Sequence, residues 1–381
     1  MNNVFVFLFL FITLVDIGYC TQRTLRSWLN HDCGTICKDR NLTTVYLRAD
    51  GPNDTLHYLW DFDGNPSVLL ALTSRSATMN INWKDFLLKK KDSVTFTEEP
   101  IYTFGVVFNK IIEFNDTNDT ALINIANLVN TNSLHPMFFQ WDRKTLIQNN
   151  EFVTLNMEGN SYNDSIMNIS RMGSIKVSLM GFCSLDHSEF MPHMLHTENS
   201  TQVDIILDHL QTNKSFTNSR FAIELLVVGE GNPEVPMFIN PKKSLDDEHT
   251  PGIFDVVEVR TPPYKSMDNY ETEGAYLQWR PVSYTTVSRD ITDSTETMQY
   301  PPLKVSNHTR SKGDGFYKRT YYSTWTFLIG YGTPPEEQFS YLVIMIISIG
   351  LGLPLIILLA IGLYFCIYKL PKRSGQAYLN Q

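Results

Sequence analysis

Apolar residues recur at every second position through most of the chain between residues 40 and 330. Val45 and Leu47; Leu56, Tyr58 and Trp60; Phe104, Val106 and Phe108; Val153, Leu155 and Met157; Ile175, Val177 and Leu179; Val203, Ile205 and Leu207; and Phe221, Ile223, Leu225 and Val227 all keep this phase. Successive side chains of an extended chain point to opposite faces, so the alternation predicts strands with one face buried. Further strands are expected at Ser67–Thr73, Ser93–Thr97, Ile253–Val259, Ala275–Tyr284 and Tyr321–Ile329, with turns at polar clusters such as Asp61–Pro66 and Gly229–Pro233. Helical periodicity is sparse. Asn82 is placed to cap a short helix through Trp83, Phe86 and Leu87, with Lys89, Lys90 and Lys91 at its C-terminal end. The pattern indicates a mainly β fold: a β-sandwich ectodomain, either one large sandwich or two joined ones, with residues 115–135 as the weak boundary. No internal repeat is evident.

Two segments escape the alternation. Val4–Val15 is an almost unbroken apolar run of the length of a signal-peptide core, and Gly18 and Cys20 are small residues suited to a cleavage site. Residues 1–20 are therefore expected to be removed as a signal peptide, although Met1-Asn2-Asn3 carries no Lys or Arg. Tyr341–Tyr368 holds no Asp, Glu, Lys, Arg, His, Asn or Gln. A helix over it covers ~40 Å, enough to cross a bilayer core. Pro354, Gly350 and Gly352 are tolerated there, because neighbouring turns take up the freed backbone groups in lipid. Glu336 and Glu337 precede the span and Lys369, Lys372 and Arg373 follow it, so the positive side is cytoplasmic. The expected organisation is a lumenal ectodomain at 21–340, a single transmembrane helix at 341–368 and a cytoplasmic tail at 369–381.

With 43% hydrophobic and 19% charged residues the 381-residue chain can build a packed core. Its net charge of -9 argues against a nucleic-acid partner, which needs a basic face. Removing Asp16 with the leader and the three cations of the tail makes the ectodomain more acidic than the whole chain. Glycosylation sequons begin at Asn41, Asn53, Asn115, Asn118, Asn163, Asn168, Asn199, Asn213 and Asn307, all between the leader and the span, where the chain would enter the secretory lumen. Of five cysteines, Cys20 is expected to leave with the leader and Cys366 lies in the span. Cys33, Cys37 and Cys183 remain as disulfide candidates, an odd count that leaves one unpaired or bridged between chains. Cys33–Cys37 can close a loop around Gly34, the favoured pairing, or either can reach Cys183.

No G-x-S-x-G elbow, H-E-x-x-H pair or phosphate-binding G-x-x-x-x-G-K-[ST] loop occurs. His187, His193 and His196 lie in one stretch, where His193 and His196 would meet on a helical turn, but spacing places no third ligand and a solvated loop is favoured. Asp246, Asp247 and Glu248 offer paired carboxylates or a hard-cation site, yet Ser244 with Asp247 reads better as the capping box of a short helix stopped by Pro251-Gly252. Trp279-Arg280 is read as a packed strand Trp beside a snorkelling Arg rather than a ligand surface. Catalytic, metal and cofactor residues are all assigned as none.

The order of six segments carries a resemblance. Asp54-Thr55-Leu56-His57-Tyr58-Leu59-Trp60, Asn80-Ile81-Asn82-Trp83, Ile112-Glu113-Phe114-Asn115, Ser244–Glu248, Gln278–Tyr284 and the Gly330–Pro335 stretch resemble the glycosylated lysosomal membrane protein family, from about residue 40 to the tail. The resemblance implies a non-enzymatic, single-pass type I glycoprotein of the lysosomal membrane. Its lumenal domain would accompany a multi-span major-facilitator transporter of dipeptides, shield it from lysosomal proteases and support its localisation. It implies no cofactor and no small-molecule substrate. The family's tail ends in a Tyr-x-x-bulky sorting signal, and here Tyr378-Leu379-Asn380-Gln381 keeps the tyrosine and ends in Gln. The competing readings are a membrane-tethered lumenal hydrolase using Asp246–Glu248 or the histidine stretch, and a cell-surface adhesion or receptor ectodomain.

Overall fold

The computed structural model describes residues 23–40, 42–120, 123, 128–189, 193–229, 238–245, 254–260, 274–280, 283–286, 303–306, 316–336 and 341–369. The expected signal peptide, the sequons at Asn41 and Asn307, the Asp246–Glu248 carboxylates and Tyr378 fall outside them.

The strands in chain order are β1 Thr24–Leu29, β2 Thr44–Asp50, β3 Asp54–Asp61, β4 Ser67–Ser74, β5 Met79–Ile81, β6 Val94–Phe96, β7 Tyr102–Asn115, β8 Thr131–Leu134, β9 Phe139–Gln148, β10 Phe152–Asp164, β11 Ile169–Phe182, β12 Asp186–His187, β13 Leu195–His196, β14 Ser200–Asp208, β15 Ser219–Gly229, β16 Phe238–Leu245, β17 Phe254–Arg260, β18 Ala275–Arg280, β19 Ser283–Thr286, β20 Leu303–Ser306 and β21 Tyr322–Tyr331. The helices are α1 Thr35–Arg40, α2 Trp83–Leu87, α3 Tyr317–Thr320 and α4 Tyr341–Lys369.

Two antiparallel sheets hold most of these strands. The first runs β1-β2-β3-β4-β7-β15-β20-β19 with β8 added beside β7, and the second runs β16-β17-β18-β21-β14-β11-β10-β9. Their inner faces meet in one core. Leu56, Tyr58, Leu70, Phe104, Ile111, Ile223 and Leu225 of the first sheet share it with Leu155, Ile175, Val203, Ile205, Leu207, Trp325 and Ile329 of the second. These are the alternating positions of the sequence, now facing each other across a sandwich. Among the described residues the core holds voids of about 20 Å³ around Trp60, Val106 and Phe327 and about 10 Å³ around Leu47 and Leu179. Of the two architectures, the described residues take the single sandwich. β7 and β15, from either side of the 115–135 stretch, pair along their length, and the core draws on both halves.

The outer face of the first sheet is partly roofed. Asn82 caps α2 by accepting from Asp85 N, and β5, β6 and α2 lay Met79, Ile81, Phe86, Val94 and Phe96 over Tyr46 and Leu59. Cys33 and Cys37 are bridged and pack with Leu42 and Trp83. Cys183 is disulfide-bonded as well. Cys20, expected to leave with the leader, lies outside the described residues, and Cys366 is the free cysteine among them.

Two further expectations are corrected. Ser244 does not cap a helix: it lies in β16 opposite Asp255 of β17, where ladder hydrogen bonds replace the side-chain cap. The strand expected over Ala275–Tyr284 is two strands in different sheets, β18 beside β21 and β19 beside β20.

Gly173 sits in β11 at φ +111°, and a Cβ there would run into the backbone of His209 and Leu210. Gly173→Ala is expected to cost about 1–3 kcal/mol through strained dihedrals and displaced backbone. Chemical denaturation with an unchanged m-value and a lowered midpoint would show it.

The C-terminal helix α4 is a separate unit. It is apolar on every side and its side chains are exposed, as a segment solvated by lipid rather than by a protein core is.

Candidate functional site

The described sequons fall at the two ends of the sandwich. One end gathers five. Asn115 closes β7, its Oδ1 accepting from Asn218 N at 3.0 Å, and Asn118 is exposed in the turn that follows. Asn213 lies in the β14–β15 connection, where its Oδ1 accepts from both N and Oγ of Ser215, the hydroxyl residue of its own sequon. Asn163 and Asn168 are exposed and flank the β10–β11 turn. At the other end Asn53 is exposed in the β2–β3 turn. Asn199 is half-buried, its Oδ1 held at 2.7 Å by Nε of the buried Arg23 and its carbonyl by the Tyr58 hydroxyl at 2.9 Å.

Buried charge organises the five-sequon end. Arg220, at 0% exposure, donates from Nε to Asp116 at 2.7 Å and from Nη2 to Asp119, and its guanidinium stacks 4.4 Å over Phe316. Beside it Glu113 accepts from Asn213 N at 2.7 Å and Ser219 Oγ at 3.1 Å, and faces Arg171 of β11 at 3.4 Å. These ion pairs tie β7, β15, β11 and the β14–β15 connection together, fixing the loops that bear the sequons. Sequence reasoning missed them. Arg220 and Glu224 occupy the phase of β15 that alternation assigns to solvent, and their partners lie about a hundred residues away.

Three buried titratable groups sit outside those pairs. His57 Nδ1 accepts from the Tyr46 hydroxyl at 2.7 Å, and its Nε2–H donates to Thr73 Oγ1 at 2.8 Å. That tautomer follows because Thr73 uses its own proton on Ser74 O. Burial, with help from the Arg48 charge, lowers its pKa from 6.5 to about 4. His196 stacks on Phe182 and donates from Nδ1 to Ser184 O at 3.1 Å, and burial lowers it to about 4. Asp204 accepts from Thr326 Oγ1 at 2.7 Å and Gln202 Nε2 at 3.1 Å, and burial raises it to about 6 against the pull of those donors. Gln202 Oε1 beside it has no hydrogen-bond partner.

The histidine stretch takes a form other than the helical turn or solvated loop considered above. His187 and Leu195 pair in the short β12–β13 ladder, His196 is buried, and His193 Nδ1 donates to Ser188 O at 2.6 Å. Imidazoles spent on backbone carbonyls do not converge on an ion, and no grouping of three metal-ligating side chains occurs among the described residues. Trp279 and Arg280 lie in β18 opposite Phe327 and Thr326 of β21.

A filled antiparallel sandwich with sequons on its end loops and one wholly apolar helix near its C-terminus defines a single-pass membrane glycoprotein. The sequence profile described as "Glycosylated lysosomal membrane protein" matches residues 43–312 and 309–372, and the chain belongs to that family. Among similar proteins, "Glycosylated lysosomal membrane protein" of Danio rerio is 29% identical, over 87% of this chain and 85% of its own length. "Glycosylated lysosomal membrane protein A" of Xenopus laevis is 28% identical over 84% and 85%, and the Homo sapiens "Glycosylated lysosomal membrane protein" 26% identical over 85% and 84%. Family and helix together make this a lysosomal membrane protein of single-pass type I topology, the acidic flank lumenal and the basic tail cytoplasmic.

Proposed function

We infer that the chain is a non-enzymatic accessory subunit of a multi-span major-facilitator transporter of the lysosomal membrane, whose loops its ectodomain covers against proteolysis and whose lysosomal localisation it supports. The observation that carries the reading is the pairing of a β-sandwich whose two inner faces share one apolar core with a helix that is apolar on every side. Voids of about 20 Å³ hold at most a water, far below the size of a small-molecule site. His193 and His196 of the stretch weighed for hydrolysis are occupied by hydrogen bonds to backbone carbonyls. Ser348, Gly352 and Gly362 on α4 give a neighbouring helix room for close approach, since a Cβ at either glycine would meet nothing within 4 Å. Protection is steric: proteases cut reachable, locally unfolded segments, so covering a loop removes the substrate.

Purification from gently solubilised membranes is expected to bring a multi-span transporter with the full chain. Deleting residues 21–335 while keeping α4 should shorten that transporter's lifetime several-fold in lysosomes with active proteases. An unchanged lifetime overturns the reading.

A further inference from the structure

The turn between β10 and β11 is built against the usual chemistry of turns. Connections of this kind are polar, yet Ile166 is 80% exposed and Met167 66% exposed at the tip, and Met172 on β11 is 68% exposed. Flexibility does not let them tuck inward. The buried Asp164 accepts from Ile166 N and Met167 N, both at 2.9 Å, and receives the Tyr162 hydroxyl on its other oxygen, locking the backbone with both apolar side chains outward. Met172 is fixed in turn by Gln211, whose N donates to Met172 O at 2.8 Å and whose Oε1 accepts from Met172 N at 3.2 Å. An apolar tip held rigidly in water is an adhesive patch unless something covers it.

The cover is indicated by what flanks it. Asn163-Asp164-Ser165 and Asn168-Ile169-Ser170 are both sequons, and both asparagines are exposed. Asn163 stands opposite Ser170, two residues from Met172 on the same outer face. Asn168 follows Met167 directly at φ +53°, a conformation asparagine tolerates. Ile166 and Met167 thus lie between the two sequon asparagines along the turn, and Met172 shares the strand face of Ser170, the residue opposite Asn163.

We propose that N-glycans on Asn163 and Asn168 lie over Ile166, Met167 and Met172, making the β10–β11 turn a sugar-covered apolar knob that stays monodisperse only while glycosylated. The sugars' hydroxyls face water and their C–H faces contact the apolar side chains. This does not depend on the accessory-subunit reading, because its readout is the behaviour of this chain alone.

The full chain is expressed in animal cells and purified in mild detergent. Glycopeptide mass spectrometry is expected to find sugar on both Asn163 and Asn168, and bare asparagine at both overturns the proposal. Asn163→Gln with Asn168→Gln is expected to raise the aggregated fraction on size exclusion several-fold. Adding Ile166→Ser, Met167→Ser and Met172→Ser should return it to the wild-type level. Should the double asparagine variant fail to fold, removal of the whole glycan from the folded wild-type chain by peptide-N-glycosidase gives the same comparison, with the triple serine variant as the resistant control. A deglycosylated chain as monodisperse as wild type overturns the proposal. So does loss of a co-purifying membrane protein from the fully glycosylated triple serine variant, which would assign the patch to protein docking.

Discussion

Arg220→Met is expected to cost the ectodomain about 3–5 kcal/mol, the penalty of leaving a buried carboxylate without its counter-ion. Asp116 is 5% exposed and takes the Nε proton of Arg220 at 2.7 Å. Methionine fills much of the volume and retains contact with Phe316, so the loss reports charge rather than a cavity. The control follows from that distinction. Arg220→Met combined with Asp116→Asn removes the stranded charge and should recover a substantial part of the stability, a non-additivity that only a coupled pair produces. Denaturant unfolding of Arg220→Met, Asp116→Asn and the double variant measures it, and equal losses in Arg220→Met and the double variant would refute the ionic account. In cells the single variant should be retained before the lysosome, since a loss of this size raises the unfolded fraction that quality control removes.

What could be read from the sequence follows from where burial is one-sided. β7 and β15 are legible because Phe104, Val106 and Phe108, and Phe221 through Val227, present every second residue to one core. Their outward residues also stay in phase. β9 was not legible. Phe139 and Trp141 reach the core in one phase and Leu146 in the other, across the bulge at Glu158/Gly159, so no single alternation runs along it. The outer reaches of β10 and β11 escaped because Tyr162 is the one core residue among the polar Asn160, Ser161, Asn163 and Asp164, and the facing strand turns an apolar Met172 outward. Ser244 shows the opposite failure, a local capping pattern overridden by pairing with β17. Sequons could be found one by one. That five of them share one end required the tertiary pairing of Glu113 with Arg171 and Asn213, which no spacing reveals.

Stability in acid is expected to be set by two histidines against one aspartate. His57 and His196 bind protons at about 6.5 when unfolded and only at about 4 when folded, so the unfolded chain holds more protons between those values. Each therefore withdraws stability as the pH falls from 6.5 towards 4, about 3 kcal/mol per group over the full interval. Asp204 works the other way. Its carboxyl keeps a proton up to about 6 in the fold and loses it near 3.8 when unfolded, so it returns stability as the pH drops through 6, fully below 3.8. Between pH 6 and 4 the balance is two groups against one, a net fall of about 1.4 kcal/mol per pH unit from these three. Asp204→Asn removes the compensating group. The introduced amide carries no charge to bury, and Gln202 can turn its unpartnered Oε1 to accept from it. This variant should match wild type near pH 4, exceed it by about 2–3 kcal/mol at pH 7, and lose stability twice as steeply between pH 6 and 4. His57→Gln, which can still accept from Tyr46 and donate to Thr73, should instead flatten the fall by one group's slope. Unfolding free energies at half-unit intervals from pH 4 to 7 decide the matter, and parallel profiles for wild type and Asp204→Asn would show that the buried carboxyl does not take up its proton on folding.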